Sequence, residues 1–112
     1  MDEREFNQQA DAMLAHIEQL LDACPADLDI EVKPGGIIEV AFDDPASGKI
    51  IINRHTAARE IWLAAKSGGF HFKYVAGDPA RWVGTRDGVE LLSLLARCIG
   101  EQSGVVVTLA DA

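Results

Sequence analysis

From residue 6 to residue 21 the apolar side chains Phe6, Ala10, Met13, Leu14, Ile17, Leu20 and Leu21 recur every three or four positions, the period of a helix that buries one face. Asp2, with Glu5 three residues on, has the spacing of a capping box, and Cys24-Pro25 stops the run, so one long amphipathic helix opens the chain. The period then shortens to two. Short β-type runs follow: DIEV (29 to 32), IIEVAF (37 to 42) after a Gly35-Gly36 turn, KIIIN (49 to 53) after a DDPASG loop, EIWLAA (60 to 65), FHFKYV (70 to 75) and RWVG (81 to 84). The gaps between them are too short for crossover helices, which predicts an antiparallel meander with Gly68-Gly69 as one of its hairpin turns. Asp87 and Glu90 offer a second capping box. Val89, Leu91, Leu92, Leu94, Leu95, Cys98 and Ile99 then predict a second amphipathic helix ending near Ser103-Gly104. The remaining VVVTL (105 to 109) is expected as an extended tail in the groove between the helices.

Two helices with apolar stripes to bury and one antiparallel sheet of about six strands make a two-layer α+β sandwich, with both helices on one sheet face and residues 1–112 as a single domain. The other sheet face is left uncovered, and strand parity says what stands on it. Ile50, Ile52, Ile61, Leu63, Phe70, Phe72 and Tyr74 fall on one side; Asn53, His55, Trp62, His71 and Lys73 fall on the other. A Trp among amide and imidazole groups on an open face has the composition of a protein-binding hot spot. The competing reading is a Trp lying against its neighbours to shield the sheet.

Charge sharpens this picture because of where it sits. The net charge is −8, and residues 1 to 31 hold nine carboxylates (Asp2, Glu3, Glu5, Asp11, Glu18, Asp22, Asp27, Asp29, Glu31) against the single base Arg4. The rest of the chain balances, so the whole excess belongs to the first quarter, where it repels nucleic acid and attracts cations or basic protein surfaces. No apolar run reaches the roughly 20 residues of a membrane span, and the N-terminus has neither a signal-peptide nor a transit-peptide pattern, so the expectation is a cytoplasmic protein that meets neither membrane nor nucleic acid. Cys24 and Cys98 sit at apolar helix positions with no metal-ligand spacing and read as reduced core thiols; a thiol at a helix end before Pro25 could ligate haem, but its helical phase points to the core. There is no nucleophile elbow, phosphate loop, HExxH or Cys/His cluster, which argues against an enzyme.

The strings KIIINRH, EIWLAAKSGGFHFKY, the later Trp82 and the helix DGVELLSLL, preceded by Gly36-Ile37-Ile38 leading into a strand, resemble the frataxin family in its bacterial form, nearly end to end. The resemblance implies the same two-layer sandwich, weak binding of Fe2+ or Fe3+ by exposed carboxylates, and docking on the cysteine desulfurase and scaffold protein that build iron–sulfur clusters. Carried over by position, the family's acidic ridge falls on Asp11, Glu18 and Asp22 of the first helix and on Asp27, Asp29 and Glu31 beyond it. Glu18 and Asp22 are i,i+4 neighbours, and Asp11 lies two turns earlier on the same side. Gln19, Ala23 and Pro25 stand where bacterial members often carry carboxylates, so this ridge is thinner; His55 replaces the usual Gln, and Lys73 a common Asp. The partner face falls on Asn53, His55, Trp62 and His71. The reading is therefore an iron-binding, monomeric, non-catalytic modulator of cluster assembly. Its alternatives are an iron-storage or ferroxidase-like protein that oligomerises with iron, and an acidic protein-binding module without metal.

Overall fold

The computed structural model describes residues 1–77 and 79–109. Helix α1 (Glu3–Asp22) starts where the capping box predicts, Asp2 accepting a hydrogen bond from the Glu5 amide at 2.8 Å. Six strands follow: β1 (Leu28–Lys33), β2 (Ile37–Phe42), β3 (Lys49–His55), β4 (Glu60–Ala65), β5 (Gly68–Val75) and β6 (Arg81–Gly84). Each pairs antiparallel with the next, so the sheet order is the sequence order β1-β2-β3-β4-β5-β6. Helix α2 (Leu91–Ser103) closes the sandwich and ends on Gly104 at φ +76, the left-handed C-cap that glycine adopts without penalty.

One core fills the space between the layers. Phe6, Ala10, Leu14, Ile17 and Leu21 of α1 and Leu91, Leu92, Leu94, Leu95, Cys98 and Ile99 of α2 meet Ile38, Val40, Ile50, Ile52, Ile61, Leu63 and Phe72 of the sheet. Period four on the helices and period two on the strands deliver these side chains to the same layer, as the sequence pattern predicts. Trp82 closes one end, with Phe6 and Tyr74 meeting its ring edge-on at 5.9 and 5.3 Å. In the tail, Leu109 is buried and Val107 packs against the core, whereas Val106 is exposed.

Several element boundaries differ from the pattern-based reading. The carboxylate of Asp87 accepts the Val89 amide at 3.1 Å and so closes a turn rather than capping the helix. The Val89 carbonyl accepts from Gly84, and Glu90 bridges Val83, so the chain turns back beside β6 and the helix begins only at Leu91. In the β4–β5 hairpin the turn residues are Lys66 and Ser67; Gly68 already pairs with Ala65 and opens β5. Strands β1, β3 and β5 are also longer than the apolar runs, because backbone pairing carries on past the alternating residues, through Leu28 and Lys33, Arg54 and His55, and Gly68 and Gly69.

Candidate functional site

Strand alternation leaves one sheet face without helices. Across it the register sets Lys33 opposite Ile37, Ile37 opposite Asn53, Asn53 opposite Trp62 and Trp62 opposite His71, a single row running from β1 to β5. On this row the Trp62 ring lies between two imidazoles. His55 stacks on one side with centroids 3.7 Å apart and planes 13° from parallel, and His71 on the other at 4.3 Å and 8°. Ring separations this close to the spacing between strands follow from side chains that stand up from neighbouring strands. Trp62 is consequently half-buried, its two π faces are covered, and its edge is what the stack offers outward.

Glu60 holds the stack. Its Oε1 accepts the indole Nε1–H at 2.8 Å and lies 3.5 Å from His71 Nδ1, and the carboxylate is only 14 % exposed. The indole donor is therefore already used, His71 Nδ1 faces the same carboxylate and His55 Nδ1 is buried, which leaves the edge of the three rings as the surface available to a partner. The four face residues expected from sequence, Asn53, His55, Trp62 and His71, are contiguous. Glu60 was missed by sequence reasoning, although its parity with Trp62, two residues away on β4, was the available signal.

The same face continues toward β1 as a charged field. Asp29 and Glu31 pair in register with Ala41 and Glu39 of β2, so they stand on the open face rather than beside the helix. Glu31 directly opposite Glu39 is a like-charge pair that by itself opposes strand pairing. Lys33 and Lys49 offset it, donating to the two oxygens of Glu39 at 2.7 and 2.6 Å. Hydrogen bonds from Lys33 and then Lys49 hold the Glu39 carboxyl at about 2, well below the usual carboxylate range, and the same contact raises Lys33.

The six ridge carboxylates do not converge. Asp11, Glu18 and Asp22 lie along α1, on the other layer of the sandwich from Asp29 and Glu31, and Asp27 lies in the turn between α1 and β1. The seven residues separating Asp11 from Glu18 span about 10 Å of helix axis. Asp11 is further engaged by an ion pair with Arg54 Nη1, which crosses from β3 between Asn53 and His55. Among the described residues no group of three or more His, Cys, Asp and Glu is placed to hold a metal ion. Asp22, Asp27, Asp29 and Glu31 are exposed, Glu18 is half-buried and Asp11 is paired with Arg54, so these carboxylates stand as separate hard oxygen donors rather than as one ligand set.

The thiols take separate positions. Cys98 is buried, and desolvation pushes its pKa up; Cys24 is half-buried against the core. Both are free. No helix among the described residues is long and apolar enough to cross a membrane.

Comparison with known proteins agrees with this fold. The family model for the frataxin-like domain matches residues 1–105. A protein of Dechloromonas aromatica named iron-sulfur cluster assembly protein CyaY is 48 % identical over 109 residues, covering 97 % of this chain and 99 % of its own. The protein of the same name from Janthinobacterium is 44 % identical over an alignment spanning 100 % of this chain and 99 % of its own. Among solved structures, the frataxin of Psychromonas ingrahamii, described as a member of the CyaY protein family, superposes with a TM-score of 0.86 at 31 % identity over 99 % of this chain and 100 % of its own. Sandwich, strand order and full-length identity together make this chain a member of the frataxin family.

Proposed function

We propose that this protein acts in iron–sulfur cluster assembly as a non-catalytic modulator that docks on the cysteine desulfurase and its scaffold protein. The names carried by its close relatives support the process. The observation that carries the docking surface is the His55–Trp62–His71 stack, braced by Glu60 on the helix-free sheet face. A rigid aromatic group with its hydrogen bonds prearranged loses little entropy on binding, which is the physical basis of an interface anchor. Iron is a transient cargo or signal in this reading. Asp11, Glu18, Asp22, Asp27, Asp29 and Glu31 hold it weakly, and their negative field steers a basic surface of the desulfurase onto the same edge.

Association and dissociation kinetics with a cysteine desulfurase–scaffold complex test the proposal. Glu18→Lys with Asp22→Lys slows association and flattens its salt dependence, because steering acts on the on-rate. Trp62→Ala hastens dissociation, by at least roughly 30-fold for an anchor worth about 2 kcal/mol. Paramagnetic broadening by Fe2+ concentrates on residues 11 to 31 and fades in the double Lys variant. Unaltered kinetics in both variants overturn the docking reading. Catalysed ferrous oxidation with oligomer growth replaces it by the storage or ferroxidase alternative. Docking without localised broadening leaves the acidic protein-binding module.

A further inference from the structure

Arg54 extends from a strand whose alternation aims it at the helices. Ile50 and Ile52 of β3 are fully buried on that side, and Arg54 has the same parity one step further along. Its side chain is only 22 % exposed, and its Nη1 donates to Asp11 of α1. Neighbouring contacts hold it there. The Arg54 amide donates to the Gly36 carbonyl at 2.8 Å, and the stem lies so close to Gly36 that a Cβ on that residue would meet Arg54 Cβ at 2.9 Å. Thr56, two residues on, donates from Oγ1 to Asn7 Oδ1 at 3.0 Å. Asn7 and Asp11 are i,i+4 neighbours on α1, so the end of β3 is tied to the helix at two successive turns.

Asp11 differs in this from the rest of the ridge. Among the described residues it is the one ridge carboxylate in an ion pair. Glu31 acts on Lys33 through space, but the Lys33 ammonium is bound to Glu39. The other charges around Asp11 come in both signs. Glu3 and Arg4 line the open recess on one side of it, and Glu18 and Lys33 line the groove on the other. These neighbours offset one another, so the contact with Arg54 decides the charge balance at Asp11.

We infer that Arg54 is an internal competitor for cations at Asp11, so that the ridge takes up cations from Glu18 onward and Asp11 fills last. The inference rests on the reading above that the ridge holds iron weakly, and it adds an order of filling. A cation arriving at Asp11 either displaces the guanidinium or sits on the second carboxylate oxygen beside it, where the two positive charges repel. Arg54 is a strong competitor for two reasons. Its stem is already held against Gly36, so pairing costs it less side-chain entropy than it costs a free surface Arg. Its Nε is buried with no hydrogen-bond partner among the described residues, so a displaced guanidinium keeps a partly buried charge and loses its one carboxylate. Glu18 and Asp22, i,i+4 neighbours further along α1, have no such group to displace.

The test titrates the intact, isotope-labelled protein with Mn2+ alone and follows the side-chain carboxyl carbons. Their broadening falls with the inverse sixth power of distance, which resolves Asp11 from Glu18 about 10 Å along the helix. In the native protein the Asp11 carbon is expected to need more Mn2+ for half-broadening than those of Glu18 and Asp22. Arg54→Gln lowers the Asp11 midpoint roughly threefold, the worth of an ordinary exposed ion pair, and leaves Glu18 and Asp22 unchanged. An Asp11 midpoint equal to that of Glu18 in the native protein, or one that Arg54→Gln does not move, overturns the competition. A second measurement needs only the native protein. Mg2+ is expected to shift the Arg54 Nε–H signal and the Asp11 carboxyl carbon along one curve, and an Nε–H signal that stays still while Asp11 fills also overturns the inference. The underlying reading fails separately, if the carboxyl carbons of Glu18 and Asp22 do not broaden; the Asp11 midpoint with and without Arg54 still decides the competition.

Discussion

Replacing Trp62 by Ala removes two ring stacks and one hydrogen bond, and their sum separates a surface anchor from a core residue. Aromatic pairs contribute about 0.5 to 1.5 kcal/mol beyond the area they bury, and the lower end applies to rings that solvent still reaches. The contacts with His55 at 3.7 Å and His71 at 4.3 Å therefore account for about 1 kcal/mol together. The bond from the indole to Glu60 at 2.8 Å adds about 1 kcal/mol net. The expected loss of folding stability is about 2 kcal/mol, a fall in Tm of about 8 °C for a domain of this size. Truncating a fully buried Trp costs about 3 to 5 kcal/mol instead. Thermal unfolding followed by far-UV circular dichroism measures the loss, and a cycle with His71→Ala isolates the stack, with an expected coupling of at least about 0.5 kcal/mol. A loss below about 0.5 kcal/mol, or additive single variants, means the stack is not an energetic unit. A loss above about 4 kcal/mol means the ring belongs to the core, and the docking role loses its basis.

Gly36→Ala is expected to cost about 2 kcal/mol or more, because the residue sits at φ +78 and an added Cβ meets Arg54 Cβ at 2.9 Å; chemical denaturation checks it, and a neutral result refutes the close approach. Glu39→Gln lowers Tm at neutral pH in low salt. The depressed Glu39 pKa stabilises the fold above the usual carboxylate value of 4.5, and that contribution is lost as pH falls toward about 2, so the difference between wild type and variant is expected to vanish across that window. In native protein a thiol reagent modifies Cys24 before Cys98, whose burial raises its pKa and blocks access; comparable rates, read by mass spectrometry of digests, contradict that order. Leu95→Ala in α2 costs about 2 to 5 kcal/mol by equilibrium unfolding, as expected of a side chain with no exposed surface, and a smaller loss means the core collapses around the gap.

The sequence by itself determined the architecture. Periods of 3.6 and two are properties of local backbone geometry, so the faces of α1 and α2 and the parity of Ile61, Trp62 and Leu63 can be read without knowing what they pack against. Asp2 and Gly104 announced helix ends for the same local reason. Tertiary structure decided whatever depends on register between strands or on contact across the layers. Trp62 could be assigned to the open face from β4 alone, but its enclosure by His55 and His71 and its bond to Glu60 needed the β3–β4 and β4–β5 registers. The ridge carboxylates look continuous in a list of positions from 11 to 31, yet strand alternation turns Asp29 and Glu31 onto the opposite layer from Glu18, and Arg54 reaches 43 residues along the chain to engage Asp11. The late start of α2 was also non-local, because Glu90 bridges Val83 and the Gly84 amide binds the Val89 carbonyl before any helical turn can form. Local periodicity fixes which way a side chain points from its own element; only the pairing of distant segments fixes what it then meets.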